Sequence, residues 1–212
     1  MIISKRNHII NLKQRKGRLT IKRTLQIPYI IVKSFVLLMC LSFFTSGPRA
    51  VNAQDINRGY SIKAAYLYNF CKYVEWPDHF SPNKENPEDN FIIGILESDP
   101  FGESLKKIAA NKTVKGKHIK IHYIDSIEDY KICHMLFIPS KITKEFVDEI
   151  LQKTRNQSIL IIGEEEGFAS SYGIINFIEL NNKIRFEINT KFADNRNLKI
   201  SSKLLKIGKI ID

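Results

Sequence analysis

The side chains of this 212-residue chain that could do chemistry are a few histidines, two of its three cysteines and one acidic run. His118 and His122 are four apart, a spacing that would converge on one metal ion if the segment were helical. Their segment, "GKHIKIHYI", alternates polar and apolar residues and so reads as a strand, on which the two rings share a face about 13 Å apart. No metal is expected there. His134 follows Cys133 directly, and strand neighbours point to opposite faces, so the two do not form a Cys-His couple. Glu164, Glu165 and Glu166 follow the apolar run "LIIG". Loops at the carboxyl ends of strands are where α/β sheets hold ligands, so this run is either the lining of a cation or amine site or a solvated turn. There is no C-x-x-C, H-E-x-x-H, G-x-S-x-G or P-loop. No catalytic residue, metal or cofactor is expected, and the chain is not read as an enzyme.

The formal charge of +11 suggests a phosphate-rich partner, but ten of the 33 Lys and Arg precede Gln54, where there is no Asp or Glu. "FVLLMCLSFF" (35–44) follows this basic run and has the length of a signal-peptide core. Val51-Asn52-Ala53 offers small residues where a signal peptidase reads, so cleavage is expected between Ala53 and Gln54. Residues 1–53 are thus read as a leader with a long basic start, and 54–212 as one exported domain in the periplasm; a retained membrane anchor is the competing reading. Met39 before Cys40 is not the small residue that lipoprotein processing needs. Without the leader the charge is near neutral, and nucleic acid is excluded as a partner. Cys71 and Cys133 would then share an oxidising compartment. They are either bridged, contributing about 4 kcal/mol on chain entropy alone, or two separate buried thiols.

The elements follow from periodicity. Residues 60–76 read as a helix with Ile62, Tyr66, Leu67, Phe70, Tyr73 and Val74 in one core-facing arc. Tyr68 lies opposite that arc and Cys71 just past its edge. Trp76 comes at the helix end; Tyr68 and Trp76 either cover the following loop or face a partner. "FIIGILE" is a buried strand, and Asp99-Pro100 reads as the start of a helix through "FGESLKKIAAN". "CHMLFIPS" is a strand, "ITKEFVDEILQKTRN" an amphipathic helix with Phe146, Ile150 and Leu151 inward, and "SILIIG" a strand. "IINFIEL" and "KIRFEIN" flank Asn181-Asn182 as a hairpin with Ile184, Phe186 and Ile188 on one face. Ser201 or Ser202 caps a closing helix over "KLLKIGKII". The fold class is a single α/β domain: a largely parallel sheet flanked by helices, with a C-terminal antiparallel hairpin.

Taken in order, "KAAYLYNFCKYVEWP", "GKHIKI", "CHMLFIP", "LIIGEEEGFA", "INFIELNNKIRFEIN" and "LKISSKLLKI" resemble the YfiR family of periplasmic regulators over nearly the whole chain from Tyr60. The resemblance implies a small, often dimeric, non-catalytic α/β domain that binds the periplasmic part of an inner-membrane diguanylate cyclase of the YfiN type. Such binding represses the cyclase, lowers cyclic di-GMP and so bears on biofilm behaviour. An outer-membrane lipoprotein of the YfiB type is implied as the sequestering partner. Two departures stand out. "FIIGILE", where a partner for Cys133 can occur in the family, has no cysteine. Tyr172 replaces the first of two glycines, where a side chain pays more than glycine for positive φ. Exposed aromatic residues anchor protein contacts, which makes Tyr68, Trp76, Phe168 and Tyr172 the candidate partner contacts. A small-molecule sensor using Glu164, Glu165 and Glu166 is the alternative function.

Overall fold

Most of "KAAYLYNFCKYVEWP" forms the latter part of helix α1 (Ala53–Tyr73) in a computed structural model whose described residues are 53–78, 80, 90–97 and 99–211. The leader before Ala53 lies outside them. Buried positions Ala64, Leu67, Phe70 and Cys71 make the core face of α1, continued by Val74 just past its end, while Ile62 is 41% exposed and Tyr66 and Tyr73 are half-buried. The inward face is therefore rotated from the predicted arc toward Ala64 and Cys71. Tyr68, expected opposite the core, is also half-buried and packs against it. The helix ends one turn before Trp76 because Val74–Glu75 form a two-residue strand, β1.

Eight strands build one sheet. In chain order they are β2 (Phe91–Leu96), β3 (Thr113–Val114), β4 (Lys117–Ile124), β5 (Met135–Ile138), β6 (Leu160–Gly163), β7 (Ile175–Leu180), β8 (Lys183–Asn189) and β10 (Lys209–Ile211). Their spatial order is β10-β8-β7-β6-β5-β2-β4-β3. The pairs β4-β2, β2-β5, β5-β6 and β6-β7 are parallel, β7-β8 and β3-β4 are antiparallel, and β10 lies parallel to β8. The predicted class, a largely parallel sheet with an antiparallel hairpin, is the one observed. The turn of that hairpin places Asn181 at φ 53° and Asn182 at φ 58°, the two consecutive left-handed residues of a type I′ turn.

Alternation along β2 and β5 splits the core in two. Phe91, Ile93, Ile95, Met135 and Phe137 face α1 and α2 (Glu103–Asn111), whereas Leu96, Leu136 and Ile138 face α3 (Lys144–Lys153). Val147 and Ile150 form the inner stripe of α3, with Phe146 and Leu151 at its margins. The chain leaves β2 toward β4 by α2, then returns past β2 to β5 by a 3-10 turn at Ile127–Asp129 on the α3 side. Adjacent strands β2 and β5 thus lead their connections in opposite directions.

Two predicted helices depart from expectation. Asp99 does not cap α2. Its Oδ1 accepts from the N–H groups of Phe101 and Gly102 at 2.8 and 3.3 Å, and α2 begins only after Gly102, because burying Phe101 takes up the intervening residues. "KLLKIGKII" is not one helix: α6 (Ser202–Leu205) ends ahead of Gly208, where a Cβ would lie 2.6 to 2.9 Å from Ile188 and Phe186, and the chain continues as β10. Two short elements were not foreseen, α5 (Thr190–Asn195) and β9 (Lys199–Ile200). Strand β9 pairs antiparallel with β1 through Val74↔Ile200 and Glu75↔Lys199.

Candidate functional site

The carboxyl end of the parallel strands is organised by Glu164, the first residue after β6. Its side chain is 3% exposed. Lys63 of α1 places Nζ 2.5 Å from Oε2, Tyr60 donates its hydroxyl to Oε1 at 2.8 Å, and the Ser140 N–H after β5 donates to Oε1 at 2.9 Å. Two charges removed from water this far need such a complete set of partners. Burial, with the hydrogen bond and charge of Glu164 behind it, pushes the Tyr60 hydroxyl well above the usual phenol range. Glu164 therefore joins α1, β5 and β6.

The acidic run does not act as one site, because each glutamate goes a different way. Glu165 is exposed and borders a cavity of about 140 Å³ with Ile138, Val147, Lys144, Phe168 and Tyr172. Glu166 is exposed and borders an open groove of about 500 Å³ beneath the β7-β8 hairpin, with Ser170, Glu179 and Glu187. Glu187 is itself met by Lys209 at 2.9 Å. The groove is thus acidic, and Glu166, Glu179 and Glu187 come from three separate elements.

The four candidate aromatic contacts do not form one patch. Phe168 opens α4 (Phe168–Ser171), a helix the sequence did not reveal, and is only 4% exposed, which corrects the expectation of an exposed ring. A Cβ on Gly163 or Gly173 would come within 2.3 or 2.1 Å of that ring, so both glycines are required by its packing. Tyr172 rests on Phe168 with ring centroids 5.3 Å apart and is 37% exposed. Its φ of −160° is extended backbone, so the expected cost of positive φ does not arise.

Tyr68 and Trp76 lie at the other end of the sheet. The Tyr68 hydroxyl reaches the Thr113 carbonyl at 3.4 Å. Trp76 donates Nε1–H to the His134 carbonyl at 3.0 Å and packs edge-on against Phe91, so this half-buried ring braces the starts of β2 and β5. His134, 4% exposed, accepts the Ile92 N–H at Nδ1 (3.0 Å) and stacks on Phe91 at 4.4 Å. Position beside a cysteine gave no hint of that structural role.

Cys71 lies in the core under α1 and Cys133 in the core under α3, and both are free, fully buried thiols. Burial pushes the Cys133 thiol up to about 12 and the Cys71 thiol higher still. His122 shares its Nε2 with the Asp129 carbonyl at 2.7 Å on the strand predicted for it.

A search of curated proteins found no match. Among solved structures, the ABC domain in complex with L-Trp from Streptococcus pneumonia covers 61% of this chain at 12% identity with a TM-score of 0.43, and this chain spans 58% of that one. The family comparison is of a different order. A family described as YfiR/HmsC-like matches residues 60–209, from within α1 to the first residue of β10, and the chain belongs to that family.

Proposed function

We propose that this protein is an exported repressor. Freed of its leader between Ala53 and Gln54, residues 54–212 bind the periplasmic part of a YfiN-type diguanylate cyclase, hold it inactive and lower cyclic di-GMP. The observation that carries this reading is the family match across 60–209. YfiR/HmsC-like proteins are non-catalytic regulators of the periplasm associated with a membrane diguanylate cyclase. Among the described residues, no helix is long and apolar enough to cross a membrane.

Repression of this kind rests on differential affinity: the domain shifts the cyclase only if it binds the inactive state more tightly. Tyr172 is the most exposed of the four candidate rings and the best placed as an anchor; Tyr68 and Trp76 are secondary, through their open edges. An outer-membrane lipoprotein of the YfiB type is the factor that would sequester the domain, which acts singly or as a homodimer.

The test is a pull-down from membranes with the protein recovered from the periplasm, followed by a cyclic di-GMP assay on what is retained. Recovery of a cyclase whose activity falls on adding the protein, with relief by Tyr172→Ala, is expected. Retention of no cyclase would overturn the reading. N-terminal sequencing of the same protein should begin at Gln54.

The acidic groove supports a second reading, a small-molecule sensor that takes an amine against Glu166 and Glu179. Under that reading spermidine raises the thermal midpoint of the parent and leaves Glu166→Gln unchanged.

A further inference from the structure

Composition makes the domain nearly neutral, yet exposed cations outnumber exposed acids at one end of the sheet. Exposed or half-buried Glu97, Asp99, Asp125, Glu165 and Glu166 follow the carboxyl ends of parallel strands, alongside exposed Lys141, Lys144 and Lys183. Exposed Lys72, Lys112, Lys115, Lys131, Arg155 and Lys199 gather at the amino end. Topology puts each of them there. Lys72 lies in the last turn of α1, beyond which Trp76 bonds the residue before β5. Lys112 and Lys115 flank β3, which pairs with the first residues of β4. Lys131 precedes β5, Arg155 follows the far end of α3, and Lys199 sits in β9 against the end of α1. Exposed acids at this end include Glu75, Asp78 and Asp194, and exposed Glu128 and Asp129 lie in the 3-10 turn beside the far end of α3.

Neither cavity described above lies at the amino end. A spread of cations without a pocket suits an extended anionic surface better than a single phosphate group. Apolar and amphipathic groups accompany the cations. Ile132, 41% exposed, adjoins Lys131, and the half-buried rings of Tyr68, Tyr73 and Trp76 lie at the same end, with Lys72 Nζ 5.3 Å from the Tyr68 ring centre. Lysine beside tyrosine, tryptophan and an exposed aliphatic is the composition of surfaces that lie in a headgroup layer, and a purely acidic protein would leave the aliphatic unused. We propose that the amino-end face docks on anionic phospholipid headgroups, turning the carboxyl end away from the bilayer. This goes beyond cyclase binding and is measured without the cyclase.

The experiment is co-sedimentation of the protein recovered from the periplasm with phosphatidylcholine vesicles, with and without about one-third phosphatidylglycerol. Binding is expected only to the anionic vesicles at low salt, with release as salt shortens the screening length. Lys112→Glu/Lys115→Glu/Lys131→Glu should lower the bound fraction about tenfold or more. Lys141→Glu/Lys144→Glu/Lys183→Glu carries the same charge change at the carboxyl end and should bind as the parent does. Thermal midpoints check that both variants are folded, and Lys72→Glu/Lys199→Glu replaces the first if it is not. Absence of sedimentation, equal binding to both vesicle types, or equal loss in the two triple variants overturns the assignment. Retention on polyglutamate but not on vesicles overturns it in favour of an acidic protein.

Discussion

Glu164 shows how one residue can look like a ligand-binding group and be a structural joint. Its carboxylate is spent on Lys63, Tyr60 and the Ser140 N–H. Lys63→Met should cost about 3 kcal/mol by urea unfolding, because it strands a buried charge. The double variant Lys63→Met/Glu164→Gln should recover a good part of that loss, and additive losses would mean that the pair is not coupled. Gly173→Ala should cost roughly 1–3 kcal/mol, since the new Cβ falls on the Phe168 ring, which Gly163 closes in from its other neighbour; an unchanged urea midpoint would refute that packing. Neither effect was legible in the sequence. An acidic triplet after "LIIG" looks the same whether or not a lysine from α1 will fold onto it, and "GFASSYG" carries no sign that its phenylalanine turns inward.

Elements were more legible than residues, because each depends on local patterning. The β7-β8 hairpin was readable from its alternation and its Asn-Asn turn, and both asparagines do take positive φ. Asn182→Gly should raise the thermal midpoint slightly, and Asn182→Val should lower stability by about 1–2 kcal/mol, since a β-branched residue is strained in that region. If the two variants melt together, the turn has relaxed to another type. The elements that were missed are those with two to six residues: β1, β3, β9, α4 and α5. Strand β1 exists because β9 returns to it and the Ser201 N–H reaches the Tyr73 carbonyl at 2.9 Å, a contact made across most of the domain. The break in the last predicted helix has the same origin, since Gly208 is needed for close approach to Phe186 and Ile188.

For the whole molecule, burial of ionisable groups sets a response to alkali. Cys133 is pushed up to about 12, chiefly by burial; Tyr123 is raised to about 12 by burial and by Asp99; Cys71, Tyr60 and Tyr130 are raised further, burial leading in each. All hold their protons in the fold and lose them more easily once unfolded. Stability is therefore full below about pH 8.5, where the unfolded thiols begin to ionise, and declines as pH rises toward about 12. Urea midpoints that stay level between about pH 9 and 11 would contradict this. By the same burial the folded thiols should resist iodoacetamide until the chain unfolds. Fold class was legible at this scale, because alternating strands and helices dictate a parallel sheet wherever they occur. The excess of exposed cations at one end was not, since only the topology decides at which end a lysine emerges.

The packing of α1 against the hairpin also bears on when the domain can take shape. Tyr66 and Phe70 from the first helix meet Phe177 and Phe186 from β7 and β8, with centroids 5.0 to 6.1 Å apart. These rings come from opposite ends of the domain. Contacts of such long sequence separation bring slow, late closure, because the intervening chain must be gathered first. A polypeptide threaded through a narrow translocation pore would be unable to form this centre until its β7-β8 hairpin had passed, and so would remain threadable by its own topology.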